Sequence, residues 1–211
     1  MTRSGPTTPK PSRRRYSGVA PEERVRRRRA AILDSALEQF GSTGYAAASI
    51  KQICRGAGIT ERYFYESFAG REACLAALYD TLAEGMRAAT VAALEQASPD
   101  LDARSAAGLA AFIRYLTGDP RRAKVVLIEV VGVSPEMERR RHLVLRDFVD
   151  TVLATWGGDG ARGRRLTATA LVGGVNHLLV DWLLDGCRDD PADLVEVCVE
   201  LFVAARRAGE P

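Results

Sequence analysis

SIKQICRGAGITERYFYESF, residues 49–68, has the pattern of two short helices joined by one tight turn. Ser49 is placed to cap the first, expected from Ser49 to Ala57. Ile50, Ile53 and Ala57 fall at i, i+3 and i+7 and give that helix one apolar face. Gly58 follows, where stopping a helix calls for a residue tolerant of the left-handed conformation, and Ile59 fills the corner. Thr60 is placed to cap a second helix through Ser67, with Tyr63, Phe64 and Phe68 as its bulk. Helix, glycine turn, helix is the layout of a helix-turn-helix, whose second helix lies in the DNA major groove.

The chemistry of such a unit is recognition. Arg62 and Tyr63 sit early in the second helix, where side chains reach base edges. A bidentate arginine–guanine pair contributes about 1–3 kcal/mol of discrimination. Tyr63 is suited to a thymine methyl or a phosphate. Glu61 either accepts from cytosine N4 or pairs with Arg62 or Lys51; the sequence leaves both open. Lys51 lies on the exposed side of the first helix, and Ser49 and Thr60 add hydroxyls within reach of a backbone.

The same stretch resembles the DNA-binding element of the tetracycline-repressor (TetR) family of transcriptional regulators. The family pattern is met by Ser49, Ile53, Cys54, Ala57, Gly58, Ile59, Thr60, Tyr65, Phe68, Arg71, Glu72 and Leu75. Upstream, ILDSALEQFGSTGY (Ile32 to Tyr45) is similar to the family's first helix and its closing Gly-Tyr. The specific match runs from about residue 24 to 80; beyond it only the helical layout agrees. Cys54 stands where Ala is usual, Tyr63 where Thr is common and Arg71 where Lys is usual; the last two touch the DNA-facing surface. The resemblance implies that Tyr65 and Arg71 contact the DNA backbone. It also implies an all-α repressor that binds a palindromic operator as a homodimer and is released by a small, mostly apolar effector.

Charge distribution agrees with a polyanionic partner at one end. The first 29 residues hold ten Lys or Arg and two Glu, so they carry +8 while the remainder carries −5. Arg13–Arg15 form one basic cluster and Arg24 with Arg26–Arg29, including Arg28, a second. Beside a helix-turn-helix these read as phosphate or minor-groove contacts; by themselves they would equally suit a solvated tail. Residues 1–20 lack apolar bulk and are expected to be a disordered basic arm. Residues 21–71 form the DNA-binding domain and 72–211 a helical effector-binding and dimerisation domain, the boundary falling inside a long helix from Arg71 to Ala97.

The body reads as helices over Ala103–Thr117, Pro120–Val131, Pro135–Trp156, Arg162–Gly186 and Pro191–Ala208, with a glycine-rich loop at residues 157–160. Gly173-Gly174 interrupts the penultimate helix and suggests close approach of another helix. Two stripes, Leu171, Val175, Leu178, Trp182 and Leu194, Val197, Leu201, Ala205, would form the four-helix dimer interface that the resemblance implies; facing their own core is the other reading. An effector pocket would draw on Phe112, Arg114, Tyr115, Met137, Phe148, Asn176, His177 and Trp182.

Catalysis and metal binding find little support. The chain has two histidines, and His177 with Asp181 at i, i+4 lacks further ligands at metal spacing. Phosphate-binding glycine loops and a nucleophile elbow are both missing. Cys54, Cys74, Cys187 and Cys198 fall in helical patterns with no CxxC pair, as expected of reduced thiols in a cytoplasmic protein with no cofactor and no membrane partner. Two rivals remain from sequence: a DNA-binding protein without effector control, architectural or acting in cell division, and a ligand- or partner-binding protein that does not read DNA.

Overall fold

The computed structural model describes residues 21–157 and 162–208; the basic arm and most of the glycine-rich loop lie outside them. Among the described residues the chain is all helix, without strands. The head comprises α1 (Pro21–Glu38), α2 (Ile50–Gly56) and α3 (Glu61–Ser67). The body comprises α4 (Arg71–Gln96), α5 (Leu101–Thr117), α6 (Pro120–Lys124), α7 (Pro135–Thr155), α8 (Arg162–Leu184) and α9 (Pro191–Ala208).

Local chemistry sets the head. Ser49 Oγ accepts from Gln52 N at 3.2 Å, and the Gln52 side chain accepts from Ser49 N at 2.8 Å, a reciprocal capping box. Gly58 has φ +64°, which a side chain would strain. Thr60 occupies the cap position of α3 with extended backbone, yet its side chain makes no capping bond. Ile32, Ala36, Phe40, Ile53 and Phe64 are fully enclosed and form the head's core. Ser49→Ala removes the box, and urea unfolding is expected to show a loss of about 1 kcal/mol. An unchanged midpoint would show that the box carries no weight.

α4 continues the core into the body: Cys74, Leu75 and Leu78 serve the head end, and Leu82 and Met86 the body. α5 lies close along α4 because Gly108 faces it; a methyl there would stand 2.8 Å from Leu94 Cδ2. The body helices start with side-chain caps from Asp100, Asp119 and Ser134.

Two expected helices end differently. α1 closes in a widened π-turn over Gln39–Thr43, and α6 gives way to another over Val125–Glu129. Tertiary packing accounts for the first. A Cβ at Gly41 would lie 2.5 Å from Arg121 Cβ, so α6 presses on the end of α1.

Candidate nucleic-acid interface

α3 buries Phe64 and turns Glu61, Arg62, Tyr63, Tyr65 and Glu66 outward. Tyr65 is 55% exposed, its ring edge-on to Phe64 at 5.6 Å. Arg62 Nε donates to Glu66 Oε1 at 3.3 Å; Glu61 pairs with neither Arg62 nor Lys51 among the described residues. Arg28 reaches over from α1, its guanidinium 4.3 Å above the Tyr63 ring and 3.9 Å from Glu66. Lys51 and Arg55 on α2 are exposed. The exposed side chains of the two helices thus include Lys51, Arg55, Arg62, Tyr63 and Tyr65, with Arg28 stacked on Tyr63.

Three basic or hydroxyl groups of the head also hold the fold. Ser49 Oγ is engaged in its cap. Arg71 Nη1 donates to Ala48 O at 2.6 Å, and its guanidinium stacks on Tyr45 at 4.4 Å. Arg29, expected with its basic cluster to face phosphates, instead donates to Ser67 O at 3.1 Å and stacks on Phe68 at 4.3 Å.

Polar links tie the end of α1 to the segment around α6, and α7 to the start of α4. Tyr45 N donates to Glu129 at 2.6 Å and Lys124 Nζ to Ser42 O at 3.0 Å, while Arg121 bridges Glu38. Ser134 Oγ, the α7 cap, donates to Glu72 at 2.5 Å on the first turn of α4. None of these tertiary links has a periodic sequence signal.

Inside the body lies an apolar cavity of about 80 Å³. Leu94, Leu109, Phe112, Phe148, Val175 and Phe202 wall it, from five helices. It shares Leu145, Val172 and Asn176 with an open groove of about 500 Å³ that carries Arg141, His142, Arg146 and Arg165. Of the eight residues expected around a pocket, Phe112, Phe148 and Asn176 line the cavity. The other five lie elsewhere. Met137 is sealed in the core and Arg114 faces solvent. Tyr115 packs where Gly85 makes room, a methyl there falling 2.1 Å from its hydroxyl. Trp182 donates to Asp189 O at 3.0 Å, and His177 is exposed beside Asp181 at 3.6 Å.

The expected dimer stripe on α8 is off by one face. Val175 and Trp182 are buried in their own protomer, Leu171 and Leu178 pack partly against its core, and Val175 lines the cavity. The outward face instead carries Leu166, Ala170, Gly173, Gly174, His177, Asp181 and Leu184, with Leu166 61% and Leu184 70% exposed. Neither glycine has an atom within 4 Å of its would-be Cβ. On α9, Val197 and Leu201 are about half exposed, whereas Leu194 and Ala205 pack inward. α8 is apolar on both sides: its mean hydropathy of 1.2 is enough, by length and composition alone, for a membrane span, with 22% of that window buried.

The thiols are quiet. Burial pushes Cys74 up to about 12 and raises Cys54, Cys187 and Cys198, with Glu61 adding to the rise at Cys54.

Comparisons with known proteins agree with this geometry. Residues 32–78, which span α2 and α3, match the family described as "Bacterial regulatory proteins, tetR family". The HTH-type transcriptional regulator YdgC of Bacillus subtilis (strain 168) is 25% identical over 178 residues, covering 82% of this chain and 89% of that protein. The fold is similar to that of the fatty acid degradation regulator FadR from Bacillus halodurans, at TM-score 0.75 and 18% identity over 88% of this chain and 96% of that one. FadR from Bacillus subtilis, solved in complex with stearoyl-CoA, superposes at TM-score 0.72 and 18% identity, over 83% and 98% of the two chains. The helix-turn-helix segment, residues 32–78, is thus of the tetR family's kind, and the all-α body shares the fold of these solved regulators.

Proposed function

We propose that this regulator is a homodimeric repressor: residues 21–71 read one half of an inverted-repeat operator and the rest binds effector and partner. The observation that carries the reading is the outward face of α3, where Arg62, Tyr63 and Tyr65 project around a buried Phe64, flanked by Arg28 and Lys51. Arg62 reads a base edge, after exchanging its exposed Glu66 partner. Tyr63, Glu61 and Thr60 lie nearest the bases; Lys51, Tyr65, Arg28 and Arg71 serve the phosphates, with Ser49 supporting α2 from its cap. A short recognition helix reads too little sequence alone, so a second copy is needed. The open faces of α8 and α9 are where it docks.

Effector binding in the body cavity would act through the turn after α6, whose Glu129 holds Tyr45 of the head, and through α7, whose Ser134 holds Glu72 where α4 leaves the head. Release requires that the effector bind the two arrangements with different affinity. The FadR relative bound to stearoyl-CoA supports a lipophilic effector class. A smaller one suits this chain: the cavity measures about 80 Å³, roughly half of what holds a benzene ring, which suits a ligand end of roughly three or four heavy atoms.

Selection of bound duplexes from a random library, at near-physiological salt, tests the reading. An inverted repeat is expected. Arg62→Ala should then cost about 5- to 150-fold and relax one base position, while Lys51→Ala should weaken all sequences alike and lower the salt slope by about one. Absence of any motif from folded protein would refute operator reading.

A further inference from the structure

The cavity in the body holds two polar groups that the protein does not satisfy. Ser105 and Trp156 are 7% and 5% exposed, and both line the cavity. Ser105 Oγ and Trp156 Nε1 have no hydrogen-bond partner among the described residues. The threonines around them differ: Thr90, Thr151 and Thr155 each donate to a carbonyl of their own helix. The other tryptophan, Trp182, also has its acceptor, Asp189 O. A buried donor left without an acceptor costs roughly 1–3 kcal/mol, so a site containing two selects for a molecule that supplies acceptors.

We infer that the cavity's ligand is a neutral, largely apolar molecule bearing a carbonyl oxygen, which accepts from the Trp156 indole N–H and the Ser105 hydroxyl. This rests on the cavity as the effector site and names the effector's chemistry. The indole N–H is a donor only, which excludes a ligand presenting another donor there. Two acceptor lone pairs on one carbonyl oxygen match two donors. Neutrality follows from the walls: among the described residues lining the cavity none is ionisable, so a carboxylate would be buried without a counter-charge. The arginines of the neighbouring groove, Arg141, Arg146 and Arg165, line the groove and not the cavity. Phe112, Phe148 and Phe202 favour a flat, aromatic or unsaturated body.

The test is calorimetric titration of the full chain at neutral pH with three isosteric probes sized to the cavity: acetone, isobutene and acetate. Trp156 emission is a second readout, against a Trp182→Phe background. Acetone is expected to bind about tenfold or more tighter than isobutene, the effect of two hydrogen bonds, and acetate weakest. Ser105→Ala should shrink the preference, and Ser105→Ala with Trp156→Phe should abolish it. If the double variant does not fold, Ser105→Ala alone decides. Equal affinity for ketone and hydrocarbon, a preference that survives in the variants, or no binding of any probe overturns the inference. So does tighter binding of acetate that Arg146→Ala weakens, because the polar end would then lie in the groove. DNA is not a readout here. Loss of effector control over DNA would leave the ligand assignment standing, and equal probe affinities would leave operator reading intact.

Discussion

Leu166→Arg with Leu201→Arg is expected to leave each protomer folded, convert the dimer to monomer, and weaken binding to a complete inverted repeat by about a hundredfold or more. Leu166 is 61% exposed and Leu201 51%, so within the protomer each substitution alters a surface position and should cost little. In the proposed dimer the same side chains meet their copies across a two-fold axis. Four guanidiniums would then face one another where four leucines had met, with Asp181 on α8 and Glu196 and Glu200 on α9 offsetting only part of the repulsion at the margins. The seam is apolar and smooth: Gly173 and Gly174 have no neighbours and let another backbone approach closely. Linking two half-site readers is what raises affinity for the full repeat, typically by about 10²–10⁴, and the monomer forfeits that gain. Sedimentation equilibrium measures the mass, and titration of full and half sites measures the DNA consequence. A stable dimer in the double variant would remove these faces from the interface.

Phe64→Ala is expected to abolish DNA binding while sparing the body. Phe64 is fully enclosed, with Phe68 at 5.7 Å and Tyr65 at 5.6 Å between ring centres. Truncating a buried phenylalanine costs about 3–5 kcal/mol. α3 has seven residues, too short to stay helical without its tertiary contacts. The body keeps its own core, centred on Met86, Ile113, Leu116, Val149 and Leu179, with none of its contacts removed. Hydrogen exchange should show amides of α2 and α3 losing protection while those of α5 and α7 keep theirs. Retained operator affinity would mean that the ring does not hold the reading helix in place.

What could be read from the chain was what local chemistry determines. Ser49, Asp100 and Ser134 mark helix starts by their own side chains, and Gly58 marks the turn by its backbone. The all-α architecture and the helix-turn-helix follow from such signals. The widened ends of α1 and α6 do not, because Gly41 against Arg121 and Glu129 against Tyr45 depend on segments more than 75 residues apart coming together. The face of α8 was equally hidden. Leu171, Val175 and Leu178 lie on one side, Leu166, Ala170 and Leu184 on the other, and an apolar period present on both sides cannot say which is inward. Phe112 and Phe148 were legible as cavity wall by bulk and spacing. Ser105 and Trp156 were not, since a donor's lack of an acceptor exists only once the fold has removed every alternative.

Beside the Arg121–Glu38 ion pair, four of the links that hold the head share one chemical form. Glu129 grips the amide of Tyr45, Lys124 the carbonyl of Ser42, Arg71 the carbonyl of Ala48, and Arg29 the carbonyl of Ser67. Each joins a side chain to main chain, and main chain is the same whatever residue it belongs to. Ser42 and the outward positions of α3 are thereby free to change without loosening the mount. A lineage could exchange Arg62 or Tyr63, and with them the DNA sequence preferred, while inheriting the junction to the body intact. The mount is generic and the reading surface replaceable, which is the arrangement a single scaffold needs to acquire new addresses one substitution at a time.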